Sequence, residues 1–85
     1  MLDQILAALA SKKLIIGKEK TLKLLRKNNI EKIFLASNAP ELWKKLFKHY
    51  CELVGCELFI LEKDSSELGE LCKKPFNITV LAIAR

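Results

Sequence analysis

Histidine is nearly absent from this sequence: His49 is the only one among 85 residues. It sits beside Tyr50 and Cys51 in a segment with helical spacing, where residues two apart point in different directions. That argues against a His49–Cys51 nucleophilic pair, and His49 reads as an ordinary surface or half-buried residue. Cysteine is scarce too: Cys51, Cys56 and Cys72, an odd number with no CxxC. This argues against a disulfide framework and against a zinc site. The three read as small hydrophobes of a reducing compartment. Three glycines and two prolines leave no low-complexity stretch. The one glycine of Gly17-Lys18-Glu19-Lys20-Thr21 cannot form the Gly-rich turn that wraps nucleotide phosphates. No apolar run approaches the roughly 20 residues that span a bilayer. The start, MLDQILAALASKK, carries its acid early and its lysines late, the reverse of a secretion signal. The cytoplasm is the expected location. No catalytic set, metal cluster, cofactor motif or small-molecule site is evident, so binding is expected rather than catalysis.

What is present is a core-sized share of apolar residues, 51%, in a length suited to one domain over residues 1–85. A lopsided charge accompanies it. Residues 12–27 carry Lys12, Lys13, Lys18, Lys20, Lys23, Arg26 and Lys27 against Glu19, a net +6. The other eight basic and nine acidic residues come to −1. Charge so unevenly placed points to a polyanionic partner, nucleic acid before an anionic membrane.

Periodicity lays out the elements. Residues 2–10 fit a helix with Leu2, Ile5, Leu6 and Leu9 on one face, and Leu14–Ile16 a short strand. Gly17 turns the chain into a helix over 18–28 that buries Leu22, Leu25 and Leu24, with Asn28-Asn29 as its stop. The run KIFLAS, 32–37, suits a strand covered on both faces. Ser37 or Asn38 can cap the following helix, and Pro40 suits its first turn. Leu42, Trp43, Leu46, Phe47, Tyr50, Leu53 and Val54 recur at helical spacing up to a stop at Gly55. A second buried strand is predicted over 58–61. Asp64 and Glu67 resemble a capping box for a short helix to about Cys72, and residues 78–84 form the last strand. Strands alternating with helices give an α/β fold with helices on both faces of a small sheet.

Three features could converge on a ligand. The Gly17 turn offers free helix-start amides, with Lys18, Lys20 and Lys23 adding charge; the alternative is a solvated lysine face. Ser37-Asn38 follows a strand, and ligands collect outside the carboxyl ends of strands in such sheets, though taken alone Asn38 reads first as a plain helix cap. If the strands ending at Gly17 and Asn38 are parallel, both turns lie on one edge. In the loop Lys73-Lys74-Pro75-Phe76-Asn77, the aromatic ring either stacks on an unpaired base or tucks into the core. The combined picture is structured RNA with an extruded base.

"GKEKTLKLLR", "IFLASNAP", "SSELGELC" and "KPFNITVLAIA", in this order from about Lys12 to Ile83, resemble the kink-turn RNA-binding superfamily of ribosomal proteins L7Ae and L30e. ASNAP and the loop phenylalanine favour the L30e branch. The resemblance implies a three-layer α-β-α sandwich with a mixed four-stranded sheet, and a non-enzymatic protein of the large ribosomal subunit. Its partner would be a kinked helix–internal loop–helix of ribosomal RNA, with neighbouring ribosomal proteins alongside. As a free protein it would be a monomer. By position, the resemblance assigns Gly17, Lys18, Glu19, Lys20 and Lys23 to the sheared G·A pairs, Asn38 to a second loop, and Lys74, Pro75 and Phe76 to the loop covering the flipped-out nucleotide. Glu19 is the acid in a basic cluster: it either accepts from a base amino group or tempers phosphate binding. The rival readings are a kink-turn protein of a guide-RNA particle, a stand-alone paralogue, or a protein–protein module on the same fold.

Overall fold

The computed structural model describes residues 2–85; the placement expected for the Leu2 side chain lies outside what is described. Eight elements follow in order: α1 (Leu2–Ala10), β1 (Leu14–Ile16), α2 (Lys18–Arg26), β2 (Ile30–Leu35), α3 (Glu41–Val54), β3 (Glu57–Ile60), α4 (Ser65–Leu71) and β4 (Val80–Ala84). The four strands form one mixed sheet in the order β1-β4-β2-β3. β4 runs antiparallel to both β1 and β2, with Ile15 opposite Ala82 and Phe34 opposite Leu81, while β3 lies parallel to β2. β1, β2 and β3 therefore point the same way. Ile30 pairs with Ala84 and Lys32 with Ile83, which leaves Glu31 as the extra residue of a bulge.

The sheet separates two apolar layers. On one side Leu22 and Leu25 of α2 and Phe47 and Cys51 of α3 pack on Ile33, Leu35, Val80 and Ala82. On the other, Ile5 of α1 and Leu68 and Cys72 of α4 pack on Phe34, Ala36 and Leu81. Adjacent residues of β2 thus enter opposite cores, and Ile33, Phe34 and Leu35 are all fully buried, as the continuous apolar run requires. The result is the expected α-β-α sandwich. Each fully buried Phe or Leu side chain contributes about 1.5–3 kcal/mol by leaving water.

Local signals set most element ends. Asn28 takes φ 56° just after α2, and Gly55 takes φ 77° at the close of α3. Asp64 accepts from the Glu67 amide (2.9 Å) while the Glu67 carboxylate accepts from the Asp64 amide (3.2 Å), completing the capping box.

The structure also corrects several expectations. β3 is an edge strand, half-covered rather than buried: Leu58 packs into the first core and Phe59 into the second, stacked on Phe34 at 5.4 Å, but no strand among the described residues lies beyond it. Its apolar run reflects two covered faces, which says nothing about a covered edge. Leu42 and Leu53 are 78% and 68% exposed, because the stripe that meets the sheet runs through residues 43, 46, 47, 50, 51 and 54 and they fall outside it. No side chain caps α3; Pro40 occupies its N-cap position, and Asn38 is engaged elsewhere.

Candidate nucleic-acid interface

Because β1, β2 and β3 are parallel and β4 is reversed, the turns after the first three and the loop before the fourth gather on one sheet edge. Gly17 leaves β1, residues 36–40 leave β2, residues 61–64 leave β3, and residues 72–79 lead into β4. Backbone bonds draw these turns together. The Gly17 amide donates to the Val80 carbonyl (3.0 Å), and the Ala36 amide to the Thr79 carbonyl (2.9 Å).

Gly17 has φ 110° and ψ 150°, a region that side-chain-bearing residues avoid. It is the N-cap of α2 and brings no capping side chain, so the amides of Lys18, Glu19 and Lys20 have no acceptor among the described residues. Its carbonyl is held twice, by the Thr21 amide (3.2 Å) and the Thr21 hydroxyl (2.7 Å). Thr21 is fully buried, so this bond anchors the turn from inside. The helix start is thus rigid, open and partly positive.

The β4 loop is held just as firmly. The Lys74 amide donates to Gly69 and the Ile78 amide to Ser65, both at 2.9 Å, which docks each end of the loop on α4. Gly69 permits this: a Cβ there would collide with the Phe76 carbonyl. The ring of Phe76 stays outside the core, 52% exposed. Asn38 ties the third turn in, accepting from the Ser65 amide (3.0 Å) and donating to the Ser65 hydroxyl (3.1 Å). It caps α4 across 27 residues of sequence, not the α3 that follows it.

Between these segments lies a groove of about 470 Å³, lined by Gly17, Lys18, Lys20, Trp43, Lys74, Phe76 and the backbone leading into β4. The Lys18 ammonium stands 4.9 Å from the centre of the Trp43 ring, a cation–π contact. Neither Lys18, Lys20, Lys23 nor Lys74 has an ion-pair partner among the described residues, and Glu19 has none either; the two ion pairs found join Lys44 to Glu41 and Lys63 to Glu67. The lysines are therefore available to an external anion.

Of the residues singled out from sequence, Gly17, Lys18, Lys20, Lys74 and Phe76 meet in this groove. Lys23 and Glu19 lie on the outer side of α2, around a separate depression with Lys20 and Arg26. Pro75 is exposed and outside the groove lining, and Asn38 sits on the same edge as a brace between turns. Trp43 was legible only as a core position of α3. Its place in the first turn after β2 was the signal that it reaches this edge. Thr21 and Gly69 gave no sign of their roles before the turns were seen together.

The sequence model of the family described as ribosomal protein L7Ae/L30e/S12e/Gadd45 matches residues 1–85. The chain is 37% identical over 76 residues to a large ribosomal subunit protein eL30 of Pyrobaculum neutrophilum, covering 89% of this chain and 75% of that one. It is 36% identical over 73 residues to eL30B of Schizosaccharomyces pombe, covering 86% of this chain and 62% of that longer protein. The relatives bear ribosomal-protein names rather than enzyme names. A solved structure titled as a 15.5 kD RNA-binding protein of Giardia lamblia superposes with a TM-score of 0.82, covering 99% of this chain and 70% of that one at 21% identity, a likeness of fold.

Proposed function

The chain belongs to the ribosomal protein L7Ae/L30e/S12e/Gadd45 family, and from that premise we propose that it is a non-enzymatic, single-domain RNA-binding protein of the large ribosomal subunit. Its target is a kinked internal loop of ribosomal RNA. The observation that carries this reading is the groove in which an uncapped helix start, three lysines free of ion partners and the exposed Phe76 ring converge. A-form RNA hides its base edges in a deep, narrow groove, so a protein that reads RNA favours sites where bases are splayed out. Phe76 offers a stacking face to such a base. The open amides of α2 and the ammonium groups of Lys18, Lys20 and Lys74 meet phosphates or base edges beside it. Lys23 and Glu19 extend the contact along α2. Asn38 and Pro75 shape the turns that hold it. Cytoplasmic ribosomes are where such a protein works.

The test is binding to a kink-turn RNA and to the same RNA with its G·A pairs replaced by Watson–Crick pairs. The expected outcome is strong preference for the first; equal affinity for both removes the kink-turn reading. Phe76→Ala should cost about 1–3 kcal/mol of binding with an unchanged melting temperature, since the ring stacks on RNA and not in the core. Lys18→Ala or Lys20→Ala should each lower the slope of log affinity against log salt by about one unit.

A further inference from the structure

Far from this groove, at the opposite end of the strands, the close of α3 brings two cysteines face to face. Gly55 takes φ 77° and reverses the chain, and the amides of Gly55 and Cys56 both donate to the Cys51 carbonyl, at 2.8 and 3.2 Å. This folds Cys56 back over the last turn of the helix. The Cys56 thiol points at Cys51 Sγ with the sulfurs 2.7 Å apart. Bonding them requires an approach of less than about 1 Å, since an S–S bond is about 2.05 Å. The two are unequal. Cys51 is 4% exposed, within the core that holds Phe47, whereas Cys56 is only partly buried, packed against the rim of that core at the turn. Cys72 lies in the other core, across the sheet.

We propose that Cys51 and Cys56 are a dithiol site, which a low-molecular-weight disulfide oxidises to an intramolecular disulfide. The Cys56 thiolate, reachable from solvent, attacks one sulfur of the small disulfide; that S–S bond breaks and a first small thiolate leaves. Cys51 Sγ then attacks Cys56 Sγ of the mixed disulfide and displaces the second small thiolate. The protons of Cys51 and Cys56 end on the two released thiols. Two protein thiols are oxidised and one disulfide is reduced to two thiols, so atoms and electrons balance. Burial, reinforced by Cys56, raises the Cys51 pKa and keeps it a thiol until the second step, which gives the order of attack. The product pins the end of α3 to the start of β3 without touching the RNA groove.

The full chain, treated with oxidised glutathione, is followed by intact mass and by thiol titration after unfolding. The wild type should lose two hydrogens, carry no glutathione and keep one titratable thiol of its three. Cys72→Ser should lose the same two hydrogens and keep none. Cys51→Ser should stop as a glutathione adduct on Cys56, and Cys56→Ser should take up no glutathione. The proposal is overturned if the wild type keeps all three thiols, holds a stable glutathione adduct, or cross-links into dimers. A melting temperature measured on oxidised and reduced wild type supplies the second readout: it should be higher for the oxidised form, and an equal or lower value overturns the reading that the fold already holds the two thiols in position to bond.

Discussion

Two helices begin on the same sheet edge and are finished in opposite ways. α4 starts with the amides of Ser65 and Glu67 both taken by side chains: Asp64 and Glu67 close a reciprocal box, and Asn38 arrives from a distant turn to accept from the Ser65 amide. α2 starts with no capping side chain, and among the described residues three of its amides have no acceptor and the lysines beside them no ion partner. Helix starts without partners forgo about 1 kcal/mol each in capping. α3 is also uncapped, but its first residue is Glu41, which repels phosphate. The difference separates structure from function on one edge. α4 is the fixed post against which the loop carrying Phe76 docks, and in the function proposed above the open start of α2 is where RNA would dock.

The sharpest way to break this contrast is at Gly17. The residue's φ and ψ are nearly exclusive to glycine, while a Cβ there meets no atom within 4 Å. Gly17→Ala therefore acts through the backbone torsions alone, and it should cost about 1–3 kcal/mol in denaturant unfolding. To relieve the strain the start of α2 must turn, so RNA affinity should fall as well, and by more than the loss of stability explains. A neutral result in both measurements would mean that the open helix start is not held rigid. Next in size, Asp64→Ala removes the α4 box. It should cost about 0.5–2 kcal/mol of stability, read by thermal unfolding, and leave RNA affinity of the folded protein unchanged. A loss of affinity there, with α4 intact, would show that α4's start is itself part of the interface.

How much of this was legible in the sequence follows from how far each cause acts. Gly17, Asn28, Gly55 and the Asp64–Glu67 pair act within one turn, and they mark ends that the structure keeps. The two-sided burial of β2 was legible because its apolar run is continuous. What was hidden depends on pairing at a distance. Nothing in the residues of β4 says that it lies between β1 and β2, and that placement is what brings residues 72–79 to the edge of Gly17. The bond from Asn38 to Ser65 and the contact of Lys18 with Trp43 exist only once the strands are ordered. All three cysteines are free, as the sequence suggests, and Cys51 and Cys72 are buried; the approach of Cys56 to Cys51 was hidden because helical spacing separates residues five apart unless the helix ends between them, as it does at Gly55. The resemblance to the L7Ae/L30e proteins supplied the mixed four-stranded sheet and the grouping of the three turns, but not the strand order.

The smallest expected effect, and the finest cut at the contrast, is at Glu19. It is the acid of the basic cluster, exposed in the first turn of α2 and without an ion partner among the described residues. In that turn a carboxylate favours the helix by about 0.3–1 kcal/mol through the partial positive charge of the open amides. It also sits where phosphates should approach. Glu19→Gln keeps the shape and the hydrogen-bonding oxygen while removing the charge. If Glu19 only tempers the field, the variant should unfold slightly more easily, and it should bind every RNA more tightly at low salt, the gain fading as salt screens the cluster. That is the expected outcome, because Glu19 points to the outer side of α2 with Lys23 and Arg26 and not into the groove with Phe76. The contrary result, weaker binding confined to RNA that carries G·A pairs, would make Glu19 a reader of a base amino group, since the carboxylate accepts a stronger hydrogen bond than the amide that replaces it. Affinities for the paired and the kinked RNA, each measured at two salt concentrations, separate the two roles.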